Sequence, residues 1–365
     1  MRKIKVNLGE RTYEIIISSK TYRGLGEQVK NLDVGKDAVI ITNKKILGIL
    51  GRDVSTVLKS QGFFMHFEII PDTEKAKSFI SLSRLIDRIF AYDKKRNIFL
   101  IALGGGVVGD VTGFIASIYK RGIPYIQIPT TLLAQVDSAI GGKTGIDLVY
   151  GKNLIGSFYQ PSLVFSDISA LGSLPPREIK NGLAEVVKYG VIKSKSLFRY
   201  LELIYSRAGK PNFASFDWEY IISECSRIKA KIVELDERDS RGIRIILNFG
   251  HTIGHALEAV SGYSSKYHHG EALSLGMLSA SEVGRELGLT TDKTVKRIEG
   301  LVSSIGLPTK FSGIKLEEIL STIYYDKKFK GKQIRMVIPL DIGRVVLKEG
   351  IPLQLIRRVI KRRLV

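Results

Sequence analysis

The stretch NIFLIALGGGVVGD, from Asn97 to Asp110, decides the fold. Residues 97–103 read as a strand, and from Ile98 on they are an unbroken apolar run with no alternation, the pattern of a strand buried on both faces of a parallel sheet. Gly104, Gly105, Gly106, Val107, Val108, Gly109 and Asp110 follow at once, and 111–119 reads as a helix. Gly104, Gly106 and Gly109 give the spacing GxGxxG. Glycines let a phosphate approach backbone amides, and a helix N-terminus favours the anion. The usual fingerprint places an acidic residue about twenty positions further on. IPTTLLAQ stands there instead, with Thr130 and Thr131. The stretch therefore predicts dinucleotide binding by a variant scheme; the competing reading is a tight strand-to-helix turn.

Working outward, 4–8 and 12–17 read as a hairpin around Gly9, and 38–42, 65–70, 125–128 and 163–165 as further strands. Between them, 78–92 has helical spacing at Ile80, Leu82, Leu85, Ile86 and Ile89. Strands alternating with helices predict a Rossmann-like α/β domain with a mainly parallel sheet. Beyond the breaker LPPRE (174–178) the periodicity becomes helical, over 183–192, 220–235, 252–260, 272–287 and 294–305. Near the end, 333–338 and 344–347 read as a short β-pair and 355–364 as a basic amphipathic helix packed on the domain. The expected division is an α/β domain over 1–172 and a helical domain over 173–365.

Four of the five histidines, His251, His255, His268 and His269, lie between Asn248 and Glu271, and only His66 lies elsewhere. His251 and His255 are four apart, so a helix puts them on one face. Two imidazoles and a carboxylate make a catalytic zinc set with an open position; core histidines are the plainer alternative. The spacing is not HExxH, because Thr252 follows His251. Glu185 and Lys188 interrupt the apolar run Leu183, Val186, Val187, Val191. Buried charges need partners or a metal, which makes Glu185 the candidate carboxylate. Lys229, Arg244 and Asn248 complete a polar set before the histidines.

Three other stretches suit phosphate. In PDTEKAKS, Asp72, Thr73, Glu74, Lys75, Ala76 and Lys77 follow a strand end, where parallel sheets bind ligands. Glu74 suits ribose hydroxyls and Lys77 a phosphate, against the alternative of a charged helix start. Lys143 and Lys152 sit on what read as glycine-rich loops, either as phosphate contacts or as solvated lysines.

Composition narrows the setting. The 365 residues carry a formal net charge of +20 and a single cysteine, Cys225. One cysteine forms no internal disulfide, which suits a reducing compartment. Residues 1–18 alternate like a strand and lack the apolar core of a signal peptide. No apolar run has bilayer-spanning length. The expectation is a cytoplasmic protein with no membrane and no nucleic-acid partner, its positive charge drawing an anionic small molecule.

Jointly, PDTEKAKS, GGGVVGDVTGF, YKRGIPYIQIPTTLLAQVDSAIGGKTGID, GKNLIGSFYQP, LPPREIKNGLAEVVKYG, NFGHTIGHALE and HHGE resemble the 3-dehydroquinate synthase family of sugar-phosphate cyclases. The resemblance runs from about residue 38 to residue 290 and is weak beyond, chiefly at Asp326, Lys327 and Lys328. It implies a dehydroquinate synthase-like fold, a nucleotide-binding α/β domain plus an all-α C-terminal domain, with the active site between them. The cofactors implied are NAD and a divalent metal, zinc with cobalt as the alternative. Glu185, His251 and His269 become the metal ligands, and His255 a neighbouring proton relay. Asp72 to Lys77, Gly104 to Asp110, Thr130, Thr131, Lys143, Lys152 and the turn Ala170, Leu171, Gly172, Ser173 fall on the NAD site. Asp137, Lys143, Asn153, Lys188, Lys229, Arg244 and Asn248 fall on the substrate site. Arg121 aligns with an arginine reaching the neighbouring subunit's substrate in a homodimer, and Lys327 or Lys328 with a further phosphate contact. Asn43 stands where many members carry Asp near the adenosine ribose, and Gly172-Ser173 replaces a commoner Lys-Thr. The implied reaction converts 3-deoxy-D-arabino-heptulosonate 7-phosphate into 3-dehydroquinate and phosphate. Competing readings are another cyclase of this kind, a metal-dependent polyol dehydrogenase, or a basic nucleic-acid-binding protein.

Overall fold

The computed structural model describes residues 1–19, 22–94, 96–148, 151–208, 212–262, 266–325 and 333–365. Lys327 and Lys328 lie outside them. The chain forms two compact units, Met1–Ile179 with Trp218–Arg238, and Lys180–Asp217 with Asp239–Val365.

The first unit holds β1 (Arg2–Val6), β2 (Tyr13–Ser18), β3 (Asp37–Thr42), β4 (Phe64–Ile69), β5 (Ile98–Gly104), β6 (Tyr125–Pro129), β7 (Lys143–Leu148), β8 (Gly151–Phe158) and β9 (Leu163–Asp167). Its helices include α1 (Leu25–Lys30), α2 (Lys44–Lys59), α3 (Phe79–Tyr92) and α4 (Gly106–Ile118). Seven strands form one sheet in the order β1-β2-β9-β6-β5-β3-β4. Only β1 is antiparallel to its neighbour. Every residue of β5 is buried, as its unbroken apolar run requires. Successive residues serve opposite faces: Ile40 packs with Leu50 and Val54 of α2, whereas Val39 and Ile41 pack with Leu85 of α3 and Ile115 of α4. The chain runs outward from β3 to β4 and returns to β5 on the other side of β3. The carboxyl ends of β3 and β5 therefore flank a topological switch point, where open α/β sheets bind ligands.

After α5 (Pro176–Ile192) and α6 (Lys195–Ala208), the chain returns to the first unit as α7 (Trp218–Leu235). Its apolar face, including Ile221, Cys225, Ile228 and Ile232, is buried, and the helix packs against β1 and β2. The compact units thus follow a more tangled path than the proposed division 1–172 and 173–365, because one helix from the later half covers the early hairpin.

The second unit contains α5 from Lys180 onward, α6, α8 (His251–Val260), α9 (His269–Glu286), α10 (Asp292–Ile305), α11 (Leu316–Tyr325) and α12 (Leu353–Arg362), with an antiparallel pair, β10 (Ile334–Asp341) and β11 (Arg344–Ile351). It is helical apart from that pair, which falls where the sequence reads as a short β-pair, 333–338 and 344–347. In α12, Leu355, Ile356, Val359 and Ile360 are buried. Two of its three arginines and the next residue pair with acids: Arg357 with Glu317, Arg362 with Glu286, and Arg363 with Glu282 and Glu299. No described helix is long and apolar enough to cross a membrane.

Three local differences from the sequence expectation have physical causes. Lys143 and Lys152 lie on a β-hairpin, β7–β8, rather than on glycine-rich loops. There the glycines permit close strand approach: a Cβ on Gly156 would sit 2.1 Å from the Thr144 carbonyl oxygen. Helix α4 begins at Gly106, earlier than the expected 111; its first turn, Gly-Val-Val-Gly, has poor helix propensity and so does not read as helix. Helices α2 and α6, absent from the sequence expectation, form because an amphipathic face is buried, in α2 at Ile46, Leu50, Val54 and Leu58.

Helices α8 and α9 pack so closely that a Cβ on Gly276 would lie 1.9 Å from the Gly250 carbonyl oxygen. A Gly276→Ala variant should lose about 2 kcal/mol of stability through overpacking, read as a lowered denaturation midpoint. An unchanged midpoint would mean that the two helices separate freely.

Candidate active site

The second unit gathers the cluster that the histidine spacing pointed to. Glu185 sits mid-way along α5 with 1% exposure. His251 and His269 are the first residues of α8 and α9. The close α8–α9 packing brings these two helix starts within reach of α5, and the Gly270 N–H donates to Asn181 Oδ1 of α5. His269 Nε2 lies 3.1 Å and His251 Nε2 3.5 Å from Glu185 Oε1. Among the described residues, these three offer ligand atoms within 4.8 Å of one another.

The surroundings orient each ligand. The Phe249 carbonyl can only accept, so His251 Nδ1–H donates to it over 3.2 Å and Nε2 faces Glu185. His269 Nδ1 faces Glu258 Oε2 at 3.5 Å. Lys188, one turn after Glu185, puts Nζ 2.5 Å from Glu185 Oε2 and is itself 1% exposed. Burial pushes the Glu185 pKa up, but Lys188 and the two imidazoles outweigh it and hold the carboxyl well below its usual range. Burial holds His251 below its ordinary value. At His269 burial acts the same way, yet Glu185 and Glu258 overcome it and raise the pKa to about 10. One proton on His269 therefore balances the two carboxylates around it. A divalent cation would supply that positive charge instead, and the donor set of one carboxylate and two imidazoles with outer partners fits zinc.

Of the other histidines, His255 is exposed and its ring stands edge-on to His251 at 5.0 Å between centroids. The Glu185 cluster thus takes His251 and His269, not the His251–His255 pair that helical spacing suggested first. His268 precedes α9, where its N–H donates to Glu271 Oε2 over 2.9 Å; Glu271 acts there as a helix cap. His66 is on the edge strand β4, 3.0 Å from Glu68. Arg244 and Asn248 bound the turn before α8, with Arg244 buried and Asn248 half-buried. Glu258 escaped the sequence reading, although it lies two turns after His251 on a largely buried helix.

The first unit collects the nucleotide candidates at the carboxyl edge of its sheet. Gly104 ends β5, Gly105 caps α4, and Gly106 through Asp110 form the first turns of α4. The Thr130 N–H donates to the Gly104 carbonyl over 3.0 Å, so the turns after β5 and β6 abut. Thr131 Oγ1 accepts from the Ala134 N–H. The turn 168–173 follows β9, with Ala170 and Leu171 buried and Gly172 and Ser173 exposed. Asp72 and Thr73 lead from β4 into the short turn Glu74–Ala76.

Lys77, only 3% exposed, sits in a polar cage. Its Nζ is 2.8 Å from Asp110 Oδ2 and 3.8 Å from both Glu74 Oε1 and Asp147 Oδ1. It also donates to Asn153 Oδ1. Asp147 holds the left-handed Asn153 (φ +53°) by accepting its N–H over 2.8 Å. Lys152 reaches Glu74 Oε1 at 3.3 Å. Burial works to discharge Lys77, but Asp110 and Glu74 outweigh it and raise its pKa. Burial raises the pKa of Asp110 and of Glu74 in spite of Lys77. Asp147 was not singled out in sequence; its only signal was a lone acid in the β7 strand.

Lys229 of α7 donates to the Asp137 carbonyl at 2.8 Å and pairs with its Oδ1 at 3.0 Å. Lys143 is exposed at the start of β7, 6.0 Å from the Phe158 ring centre. Arg121 is exposed beyond α4, and it and Lys120 are consecutive left-handed residues (φ +66° and +50°).

The fold is one shared with solved sugar-phosphate cyclases and, more distantly, with polyol and alcohol dehydrogenases. A 2-deoxy-scyllo-inosose synthase, complexed with carbaglucose-6-phosphate, NAD+ and Co2+, superposes with a TM-score of 0.84 at 24% identity over 99% of this chain and 100% of that one. The 2-epi-5-epi-valiolone synthase of Streptomyces hygroscopicus, with NAD+ and Zn2+ bound, gives 0.84 at 22% identity over 98% of both chains. Glycerol dehydrogenase from Schizosaccharomyces pombe is more distant, at 0.66 and 16% identity over 95% of this chain and 88% of that one. Family models described as 3-dehydroquinate synthase N-terminal and C-terminal match residues 67–181 and 182–329. The 3-dehydroquinate synthases of Desulforamulus reducens and Thermodesulfovibrio yellowstonii are 43% and 44% identical, each over 94% of this chain and 95% of the relative. The chain belongs to the 3-dehydroquinate synthase family.

Two variants probe the geometry. Glu258→Gln should weaken zinc affinity about tenfold, the scale of a lost outer partner, in a chelator-competition titration; unchanged affinity would remove Glu258 from the account. Lys77→Met strands a set of carboxylates and should cost about 3 kcal/mol of stability; a smaller loss, under about 1 kcal/mol, would mean that the cage is solvated.

Proposed function

We propose that this chain converts 3-deoxy-D-arabino-heptulosonate 7-phosphate to 3-dehydroquinate and phosphate, a phosphate-eliminating lyase of aromatic amino-acid biosynthesis. The observation that carries the reading is the Glu185–His251–His269 cluster in a chain of this family. The reaction runs through oxidation at C5, elimination, re-reduction and intramolecular aldol closure. When bound, NAD would supply hydride-accepting and hydride-donating chemistry, and zinc or cobalt would supply Lewis acidity.

The chain's own residues do the rest. Glu185, His251 and His269 hold the metal, with Phe249 and Glu258 fixing the two rings. Lys188 keeps Glu185 ionised and adds positive charge beside the substrate. His255, exposed next to His251, moves the C5 proton. In the first unit, the α4 start, the Thr130–Thr131 and 170–173 turns, and the segment from Asp72 to Lys77 with Lys152 hold NAD. Lys143 and Asn153 contact phosphate there, and the Lys229–Asp137 pair and, in the second unit, Arg244 and Asn248 contact the remaining substrate groups. Fixing the substrate at many points aligns the reacting bonds. Arg121 is held outward by its left-handed backbone, which suits a contact across a homodimer. A cytoplasmic setting agrees with the single buried cysteine.

Incubation with the heptulosonate phosphate and substoichiometric NAD+ should release phosphate to completion without net NADH, and a chelator or His251→Ala should abolish it. Bulk NADH accumulation would instead support a polyol dehydrogenase. Absence of phosphate release, with zinc and NAD+ bound, would turn the assignment toward another sugar phosphate.

A further inference from the structure

Asp93 is a buried acid that the reaction does not use. It caps the end of α3 with 4% exposure, and its side chain reaches the turn after α4. Tyr119 Oη donates to Asp93 Oδ2 over 2.8 Å, and Lys120 Nζ lies 2.5 Å from the same oxygen. Oδ1 is buried and meets no hydrogen-bond partner among the described residues, so the carboxylate depends on Lys120 for its counter-charge. The turn itself is strained. Lys120, Arg121 and Gly122 are consecutive residues of positive φ (+50°, +66° and +125°), and only glycine takes such angles freely. Side-chain-bearing residues persist there only where their surroundings over-determine it. Asp93 holds one side of the turn. On the other, a Cβ on Gly122 would lie 3.2 Å from Tyr159 Oη, which donates to the Ile123 carbonyl over 3.0 Å. Between these anchors Arg121 is exposed, and its side chain makes no hydrogen bond or ion pair among the described residues. Strained backbone beneath an outward, unpaired guanidinium serves to present that group, because glycine or asparagine would meet the needs of packing alone.

We propose that Asp93 is a positioning residue: through Tyr119 and Lys120 it sets the turn that delivers Arg121 to the anionic substrate held by a second copy of this chain. The proposal rests on the reading of Arg121 as a contact across a homodimer and deepens it. A guanidinium fork binds phosphate or carboxylate well only when its approach is fixed. A turn set before the substrate arrives lowers the cost of ordering that contact. The contact grips substrate and transition state alike, so it acts on KM rather than on kcat.

Steady-state kinetics on the enzyme loaded with zinc and NAD+ test this. Asp93→Asn keeps the size and the acceptor for Tyr119 but drops the charge for Lys120, and Lys120→Gly frees the turn without straining it. Each should raise KM for the heptulosonate phosphate about tenfold, the scale of a lost contact to a charged group, with kcat nearly unchanged. Arg121→Ala should raise it at least as far. Co-expression of any of the three with the His251→Ala chain should restore the wild-type KM, because a mixed dimer pairs an intact metal site with Arg121 on an unaltered turn of the other chain. A wild-type KM in both Asp93→Asn and Lys120→Gly beside an impaired Arg121→Ala would overturn this inference alone. So would a raised KM that mixing repairs for Arg121→Ala but not for these two. A wild-type KM in Arg121→Ala would overturn it together with the contact across the dimer, and absence of turnover by the wild type would overturn it together with the proposed function.

Discussion

A carboxylate that is 1% exposed sets the terms for the second unit. Taking Glu185 out of water is expensive, and an isolated charge there would neutralise rather than stay. Lys188 supplies one positive partner on the same helix at 2.5 Å. The other compensation comes from two imidazoles delivered by different helices, and this is why α8 and α9 have to pack at glycine distance. The chain spends close helix packing and three polar side chains on one buried anion. That outlay makes physical sense when the balance of charge is meant to be completed by a cation, and the orientation of His251 by a backbone carbonyl and of His269 by Glu258 agrees with it.

The first unit solves a different problem with the opposite sign. Lys77 is the buried charge, and carboxylates and an amide from the turn after β4, from α4 and from β7–β8 gather round it. The cage ties the segment after β4 to the glycine turn of α4. The same group of contacts therefore fixes the backbone edge where a nucleotide's phosphates approach. Stability and binding geometry share the same residues here, so changes at the cage act on both.

Most of the architecture was legible in sequence where one pattern dominated. The apolar runs 38–42 and 98–104 could only be covered parallel strands, and the His251, His269 and Glu185 signals survived because charges and histidines are scarce on apolar helices. What was not legible depended on contacts far apart in the chain. Helical spacing joined His251 to His255, but only tertiary packing shows that His269, at the start of the next helix, is the ring beside Glu185. The β7–β8 hairpin was disguised by glycines whose purpose is strand approach. Helix α7 reads as part of the helical half, and nothing local reveals that its apolar face covers β1 and β2. Glu258 and Asp147 act on neighbouring residues, so no motif of their own marks them.

The buried charge at Glu185 is completed, on this reading, by a metal held by two histidines. Anomalous diffraction at the zinc absorption edge, from crystals grown with equimolar zinc, tests it most directly. The account predicts one strong peak bonded to a Glu185 oxygen and to Nε2 of His251 and His269, at about 2.0–2.2 Å from each. A peak on other residues, or none while His269 keeps its contacts with Glu185 and Glu258, would contradict it.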